Sequence, residues 1–135
     1  MVTEDWYFVS HRLNLAEKAI NEGFKVGLLT KKTAHGEMIS SKGVDMFNWS
    51  IRRGNTNLLL ELKSILEVFS VVKRFSPDLV YSVATKPIIY SSIACKFLGV
   101  QARVNTLGGL GFIFSSKKII AKIIRSFVIP SFRLL

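Results

Sequence analysis

The chain has 135 residues, of which 49% are apolar, and its formal net charge is +10. This length fits one domain. The high apolar fraction excludes a disordered or low-complexity protein. The single cysteine, Cys95, excludes a disulfide scaffold and is typical of a protein in a reducing compartment, so we predict a cytoplasmic protein.

The charge is distributed unevenly along the chain. All nine acidic residues lie at or before Asp78, whereas residues 79–135 contain eight Lys or Arg and no Asp or Glu. A region of one sign attracts anions, such as phosphates, nucleic acid or an anionic membrane surface. The alternative is a basic solvated face that only keeps the protein soluble, and the charge alone does not decide between the two.

Helical and extended periodicities alternate along the sequence. The apolar pattern predicts, in chain order, a two-residue strand stub at 1–2, a loop over 4–12 that merges into an amphipathic helix, a strand at 25–30, a helix at 37–42, a strand at 44–51, a helix from 58, a strand at 78–84, a helix from 87 and a strand at 102–107. Gly23, Gly43 and Gly99 are predicted helix caps, and Ser76-Pro77 marks the fourth boundary. In the long helix from Leu58, the leucines and Ile65, Phe69 and Val72 are predicted to form one apolar stripe.

Helices that alternate with short apolar strands predict an α/β fold with a doubly wound parallel sheet, Rossmann-like, covered on both faces. In this interpretation the first strand is truncated, because only Met1 and Val2 precede the first loop. Such folds bind ligands beyond the carboxyl ends of their strands. Three loops therefore qualify as a site: residues 4–12, 85–87 and 108–111.

The first loop carries an unusual concentration of reactive side chains. Asp5 and His11 are candidate acid and base groups, and Arg12 is a candidate phosphate clamp. Trp6 and its aromatic neighbours suit stacking on a sugar or a lipid. The alternative is structural: the aromatics staple a helix to the core and Ser10 is its N-cap.

The other two loops offer groups for an anion. Lys86 stands between an apolar strand and the amino end of a helix, where helix N–H groups also favour an anion. The alternative for Lys86 is a side chain that extends to solvent. Gly108, Gly109 and Gly111 allow close approach of the backbone to a ligand. Their spacing matches neither the dinucleotide fingerprint nor the P-loop, so a flexible turn is the alternative.

The last segment, residues 117–135, is predicted to be a basic amphipathic helix. Its cationic residues are Lys117, Lys118, Lys122 and Arg125, set against a bulky apolar face. This pattern is typical of a helix that lies on a membrane surface, although packing against the sheet is the alternative. No metal site is predicted, because His11 and His35 are distant in sequence and one cysteine makes no cluster.

Several short motifs, in order along nearly the whole chain, resemble the N-terminal domain of GT-B glycosyltransferases of the family-4 type. The nearest members are bacterial enzymes that build lipid-linked capsule, O-antigen or related oligosaccharides. The motifs are the Asp-Trp-Tyr-Phe-Val-Ser-His-Arg run at 5–12, Arg-Arg-Gly-x-Asn from 52, Pro-Asp-Leu-Val from 77, Lys-Pro-x-x-Tyr from 86 and Asn-x-x-Gly-Gly-Leu-Gly-Phe from 105.

The resemblance implies a two-domain enzyme with a cleft between Rossmann-like domains. The N-terminal domain holds the acceptor, often a polyprenyl-diphosphate-linked sugar at the cytoplasmic face of the membrane, and the C-terminal domain holds most of the nucleotide sugar. It implies no metal. If the matching residues have the same roles in this chain, the resemblance implies that residues 5–12, including Ser10, lie beside the donor phosphates and the acceptor. It also implies that Lys86 and the glycines at 108–111 line the same cleft.

We therefore predict that residues 1–135 form one domain, the acceptor-binding half of a glycosyltransferase that moves a sugar from a nucleotide sugar to a lipid-linked or polysaccharide acceptor. We expect it to be peripheral on the inner face of the cytoplasmic membrane and inactive alone, because the donor domain is missing or lies on a second chain. A non-catalytic membrane-surface subunit is the alternative. Nucleic-acid binding ranks last, because no element interleaves basic with aromatic residues. Arg12 and Lys86 are expected on the same side of the sheet.

Overall fold

The computed structural model describes residues 1–52, 54 and 57–107 of the chain. Helices and short strands alternate through these residues. The elements are α1 (Asp5–His11), α2 (Leu13–Asn21), β1 (Gly27–Thr30), α3 (Gly36–Ser41), β2 (Asp45–Asn48), α4 (Leu58–Phe75), β3 (Leu79–Val83), α5 (Thr85–Leu98) and β4 (Ala102–Thr106).

The strands pair in parallel, and residues 1–4 join the pairs. β1 pairs with β2, and β3 pairs with β4. Between β1 and β3, the Val2 N–H donates to the Leu29 carbonyl at 3.2 Å and the Val83 N–H donates to the Met1 carbonyl at 3.0 Å. Residues 1–4 therefore take the place of a central strand. The resulting order β2, β1, residues 1–4, β3, β4 is the Rossmann order, which confirms the predicted α/β class.

Alternation along the strands divides the core into two clusters, one on each face of the sheet. On the first face, Leu28 and Val83 pack with Val2, with Phe8 of α1 and with Ile39 of α3. On the second face, the cluster contains Leu29, Trp49, Val68 and Val72 of α4, and Tyr90 and Ala94 of α5. Helices α1 to α3 thus cover one face, and α4 and α5 cover the other.

The predicted loop over residues 4–12 is wrong, because this segment is largely helical. Helix α1 begins at Asp5, directly after residues 1–4, and ends at His11. Arg12, at φ −133° and ψ −14°, separates it from α2. Ser10 is therefore not an N-cap: its hydroxyl donates to the Trp6 carbonyl at 3.0 Å, one turn back in the same helix.

The boundary signals are confirmed, but the apolar stripe of α4 is only partly buried. Gly23, Gly43 and Gly99 all have positive φ after a helix, and Ser76 ends α4 in the left-handed conformation. The residues of α4 that are buried are Ser64, Val68 and Val72. Leu58 is 81% exposed and Leu66 is 59% exposed. At buried Ser64 the helix also contacts β2, since the Trp49 indole N–H donates to the Ser64 carbonyl at 3.1 Å just after that strand.

The predicted glycine loop and terminal helix lie outside the described residues. This applies to Gly108, Gly109 and Gly111, and to the membrane-surface residues Lys117, Lys118, Lys122 and Arg125. Their assigned roles stay predictions.

Candidate functional site

Asp5 lies where residues 1–4 end, at the carboxyl edge of the sheet, and is the most enclosed charged group there. Its side chain is fully buried. The carboxylate accepts the Thr33 N–H at 2.6 Å and the Thr33 hydroxyl at 2.5 Å. Because Thr33 follows β1, these bonds tie the central segment to the loop after the neighbouring strand.

The surroundings of Asp5 keep it ionised. Burial alone would raise the pKa of this carboxyl, but hydrogen bonds from the Thr33 hydroxyl, the Thr33 N–H and the Trp6 N–H, together with the nearby His35, outweigh it. The net result is a pKa below its usual value. At neutral pH Asp5 is therefore a fixed negative charge that accepts hydrogen bonds rather than a proton donor.

His35 is the candidate residue that sequence reasoning missed. Its Nδ1 lies 3.6 Å from an Asp5 carboxylate oxygen, and its side chain is 41% exposed. This separation is longer than a hydrogen bond, so the contact between the partly exposed imidazole and the buried carboxylate is electrostatic. The available signal was its position a few residues after a predicted strand, at the edge where ligands bind.

The structure does not bring Asp5 and His11 together. They occupy opposite ends of α1, about 9 Å apart along the helix axis at 1.5 Å per residue. The His11 ring stacks on Tyr7 with ring centres 4.4 Å apart, and its Nδ1 lies 3.3 Å from the Tyr7 carbonyl. Trp6, 46% exposed, meets Tyr7 edge to face. Helix α1 therefore presents a partly aromatic outer surface.

Arg12 and Lys86 also lie apart, contrary to expectation. The Arg12 guanidinium lies over the Tyr81 ring, 5.4 Å from its centre, and Tyr81 packs on the first face of the sheet. Lys86 instead contacts Glu61 of α4, which covers the second face. The chain leaves residues 1–4 and β3 at the same edge of the sheet, but helix α1 extends over the first face to Arg12.

Lys86 belongs to a polar cluster between α4 and α5. Its Nζ lies 2.7 Å from a Glu61 carboxylate oxygen and 3.0 Å from the Arg52 carbonyl. The Tyr90 hydroxyl donates to the other Glu61 oxygen, and the Tyr90 ring meets Trp49 edge to face. Glu61 thus already offsets the lysine charge, and an incoming anion would compete with it.

The turn from β3 into α5 has an unusual backbone. Ala84 has φ 81° and ψ 160°, a conformation in which residues with a Cβ are strained. Its N–H donates to the Thr106 carbonyl of β4 at 3.1 Å, and α5 begins at the next residue with no side-chain cap. The amino end of α5 therefore opens at the carboxyl edge, where its first N–H groups and the helix dipole favour an anion.

We expect Ala84→Gly to stabilise the fold by about 1 kcal/mol. Glycine removes backbone strain of roughly 1–3 kcal/mol at this φ. Against this gain, the greater conformational entropy of glycine in the unfolded chain costs about 0.5–1 kcal/mol. Urea unfolding of the two proteins measures the difference. Ala94→Gly is the control: Ala94 is buried in the interior of α5, the helix that follows Ala84, so this change should be destabilising. Loss of stability in both variants would contradict the strain at Ala84.

Within residues 1–52, 54 and 57–107, no cluster of three or more His, Cys, Asp or Glu side chains is placed to hold a metal ion. No helix in the same part of the chain is both long and apolar enough to cross a membrane.

Comparison with known proteins adds two findings. A family model described as glycosyl transferase 4-like matches residues 1–130. The UDP-Gal:alpha-D-GlcNAc-diphosphoundecaprenol alpha-1,3-galactosyltransferase of Escherichia coli is 26% identical over 98 residues, which cover 73% of this chain and 25% of that protein. The chain therefore spans about a quarter of the length of this curated relative.

Proposed function

Because the chain belongs to the glycosyl transferase 4-like family, we propose that it forms the acceptor-binding part of an enzyme that transfers a sugar from a nucleotide sugar to a lipid-linked acceptor. The family match supports the reaction class. The name of the Escherichia coli relative specifies a UDP-sugar and an acceptor carried on diphosphoundecaprenol. A diphosphate-linked lipid is accordingly the acceptor class proposed for this chain.

The observation that carries the proposal is the amino end of α5 at the carboxyl edge of the sheet. Ala84 opens this helix without a side-chain cap, and Lys86 lies in its first turn. A diphosphate there would receive helix N–H groups, the positive end of the helix dipole and a cation. Gly108, Gly109 and Gly111 follow β4 closely in the sequence, and β4 pairs with β3 beside this turn.

The remaining site residues take roles that their positions support. Trp6 and Ser10 on α1 would contact the sugar or the lipid, with Arg12 near the far end of that helix. His35 lies beside the Asp5 carboxylate, so this pair is better positioned than Asp5 and His11 to accept a proton from the acceptor hydroxyl. Binding at this edge would contribute orientation and stabilise developing negative charge.

The proposal includes a location and a donor. We propose that the basic residues beyond Asp78 attract the domain to an anionic membrane surface, at the inner face, where a lipid-linked acceptor is presented. The nucleotide sugar is a substrate shared with a donor-binding domain or second chain, and no metal ion is assigned. The rival, a non-catalytic membrane-surface subunit, shares the membrane attraction but not the acceptor site.

Binding to nanodiscs tests the proposal. Neutral phosphatidylcholine discs are prepared with and without GlcNAc-diphosphoundecaprenol, and chain binding is measured by biolayer interferometry. We expect saturable binding that requires the acceptor lipid and is lowered by soluble GlcNAc-diphosphate. Discs with undecaprenyl phosphate are the control for the lipid tail. Equal binding to all discs, or equal binding to the acceptor discs and the undecaprenyl phosphate discs, would favour the scaffold and contradict acceptor recognition.

A further inference from the structure

Apolar side chains of α4 form a line on the side of the helix that faces away from the sheet. Leu59, Leu62 and Leu66 are all exposed. Because they are spaced by three and four residues, they lie on one side of the helix. The buried side of the same helix, through Val68 and Val72, packs on the sheet. Leucines thus occupy the position where a surface helix usually has polar residues.

Helix α5 continues this apolar surface. Ile93 and Phe97 lie one turn apart on its outer side, and Phe97 is 77% exposed. The Phe97 ring contacts Phe69 of α4, with ring centres 6.1 Å apart. The name α4–α5 face is used for the surface formed by Leu59, Leu62, Leu66, Phe69, Ile93 and Phe97. An exposed apolar surface that extends over two elements marks a site of contact with a protein or a membrane.

The exposed charges on the outer sides of these two helices are positive. Lys63 and Lys73 of α4 and Lys96 of α5 are exposed. Lys96 directly precedes Phe97. The Lys63 ammonium lies 4.0 Å from Glu67, but its side chain stays 63% exposed. The aliphatic part of a lysine packs on an apolar surface while its ammonium reaches the polar groups at the rim.

The acidic side chains of the two helices are directed to other parts of the fold. Glu61 accepts hydrogen bonds from the Lys86 ammonium and the Tyr90 hydroxyl. Glu67 accepts the Ser50 N–H at 2.8 Å and the Ser50 hydroxyl at 2.6 Å. Helix α5 contains no Asp or Glu. Within these two helices, both carboxylates are therefore bound by protein groups.

This combination of charge and apolar surface decides between possible occupants. A second copy of the chain would bring the same lysines and a formal net charge of +10, so the two copies would repel each other. An anionic lipid surface matches both features. The apolar side chains are buried below the level of the phosphate groups, and the lysines lie beside those phosphates.

We propose that the α4–α5 face inserts into the interface of an anionic lipid bilayer. Both helices would lie parallel to the membrane plane, which leaves the carboxyl edge of the sheet open at the side. The attraction included in the proposed function is electrostatic and is assigned to basic residues beyond Asp78. Insertion instead uses a defined apolar surface, and it does not depend on recognition of the acceptor.

Two reporter positions of similar exposure on opposite sides of the fold test the insertion. Leu62 of α4 is 52% exposed, and Leu15 of α2, which covers the first face, is 55% exposed. Each is changed to Cys in turn and labelled with the fluorophore NBD, while the native thiol of Cys95 is buried. The labelled chains are mixed with vesicles of phosphatidylglycerol and phosphatidylcholine, without acceptor lipid.

We expect the NBD emission of Leu62→Cys to shift to shorter wavelength and to rise roughly twofold or more, as the fluorophore enters an apolar environment. The emission of Leu15→Cys should stay unchanged. Unchanged emission of Leu62→Cys would overturn the proposal, whether the chain stays in solution or binds through another surface. An equal shift at both positions would also overturn it.

A double variant separates insertion from the general attraction. Leu62→Gln combined with Leu66→Gln should weaken vesicle binding by roughly tenfold or more, because these leucines lose their apolar contact with the bilayer. The Tm without lipid should not change, and Leu15→Gln should bind as the wild type does. Equal binding by the double variant and the wild type would contradict insertion. A Tm lower by several degrees without lipid would show that protein covers these leucines, and would likewise overturn the proposal.

Discussion

Asp5→Ala is expected to lower the free energy of unfolding by about 3 kcal/mol. The carboxylate is fully buried and accepts both the N–H and the hydroxyl of Thr33. Its removal leaves two donors without an acceptor, and each buried unsatisfied group costs roughly 1–3 kcal/mol. Urea unfolding followed by Trp fluorescence measures the loss.

Asp45→Ala is the matched control for Asp5→Ala. The Asp45 carboxylate lies 3.3 Å from the Lys25 ammonium, but both side chains are largely exposed. An exposed ion pair of this kind contributes at most about 1 kcal/mol. Similar losses in the two variants would show that Asp5 is not the tie between the central segment and the loop after β1.

The lowered pKa of Asp5 also sets the pH dependence of stability. A carboxyl whose folded pKa lies below its unfolded value stabilises the fold above the unfolded pKa, and this contribution is lost as pH falls through the folded pKa. The stability difference between the wild type and Asp5→Asn should therefore stay constant above about pH 5 and shrink below about pH 4. A difference that stays constant to lower pH would contradict this interpretation.

Lys86→Gln is expected to weaken binding of a diphosphate-linked acceptor by tenfold or more. A charge-assisted hydrogen bond to a phosphate contributes roughly 1.5–3 kcal/mol, and 1.4 kcal/mol corresponds to a factor of ten. The probe is GlcNAc-diphosphate on a short isoprenoid, and calorimetry gives its Kd. Lys96→Gln is the control: it removes the same charge from the last turn of the same helix.

Glu61→Gln should change the same affinity in the opposite direction. Glu61 lies 2.7 Å from the Lys86 ammonium, so removing its charge removes the anion with which a diphosphate competes. Tighter binding by Glu61→Gln, weaker binding by Lys86→Gln and unchanged binding by Lys96→Gln is the expected set. Equal weakening by the two lysine variants would show that Lys86 acts only through the overall positive charge and does not contact the diphosphate.

The sequence predicts the order and type of most elements because their signals are local. Glycine after a helix and proline after Ser76 mark boundaries through backbone conformation, and the structure has each one where expected. The sequence predicts a loop over 4–12, where the structure has helix α1, because the aromatic and polar side chains there resemble those of a binding loop. The Thr33 bonds that hold its first residue come from 28 positions away, and no local pattern records them.

Site residues are less predictable because their partners are distant in the chain. Lys86 looked like a cation available to a ligand, but Glu61 lies 25 positions away and pairs with it. His35 gained importance only when the fold placed it 3.6 Å from Asp5. The predicted apolar stripe of α4 is only partly buried for another reason. Apolar residues occupy most sides of that helix, so their periodicity does not identify Val68 and Val72 as the side that packs on the sheet.

Amide chemical shifts of the labelled chain, titrated with the short-isoprenoid GlcNAc-diphosphate, test the central claim that an acceptor diphosphate binds at the carboxyl edge of the sheet. The largest changes are expected at the first residues of α1, at Thr33 and at the Ala84–Thr85 turn. Changes concentrated at the opposite edge, around Ser76 and Gly99, would contradict it, as would shifts no larger than those caused by the isoprenoid alcohol alone.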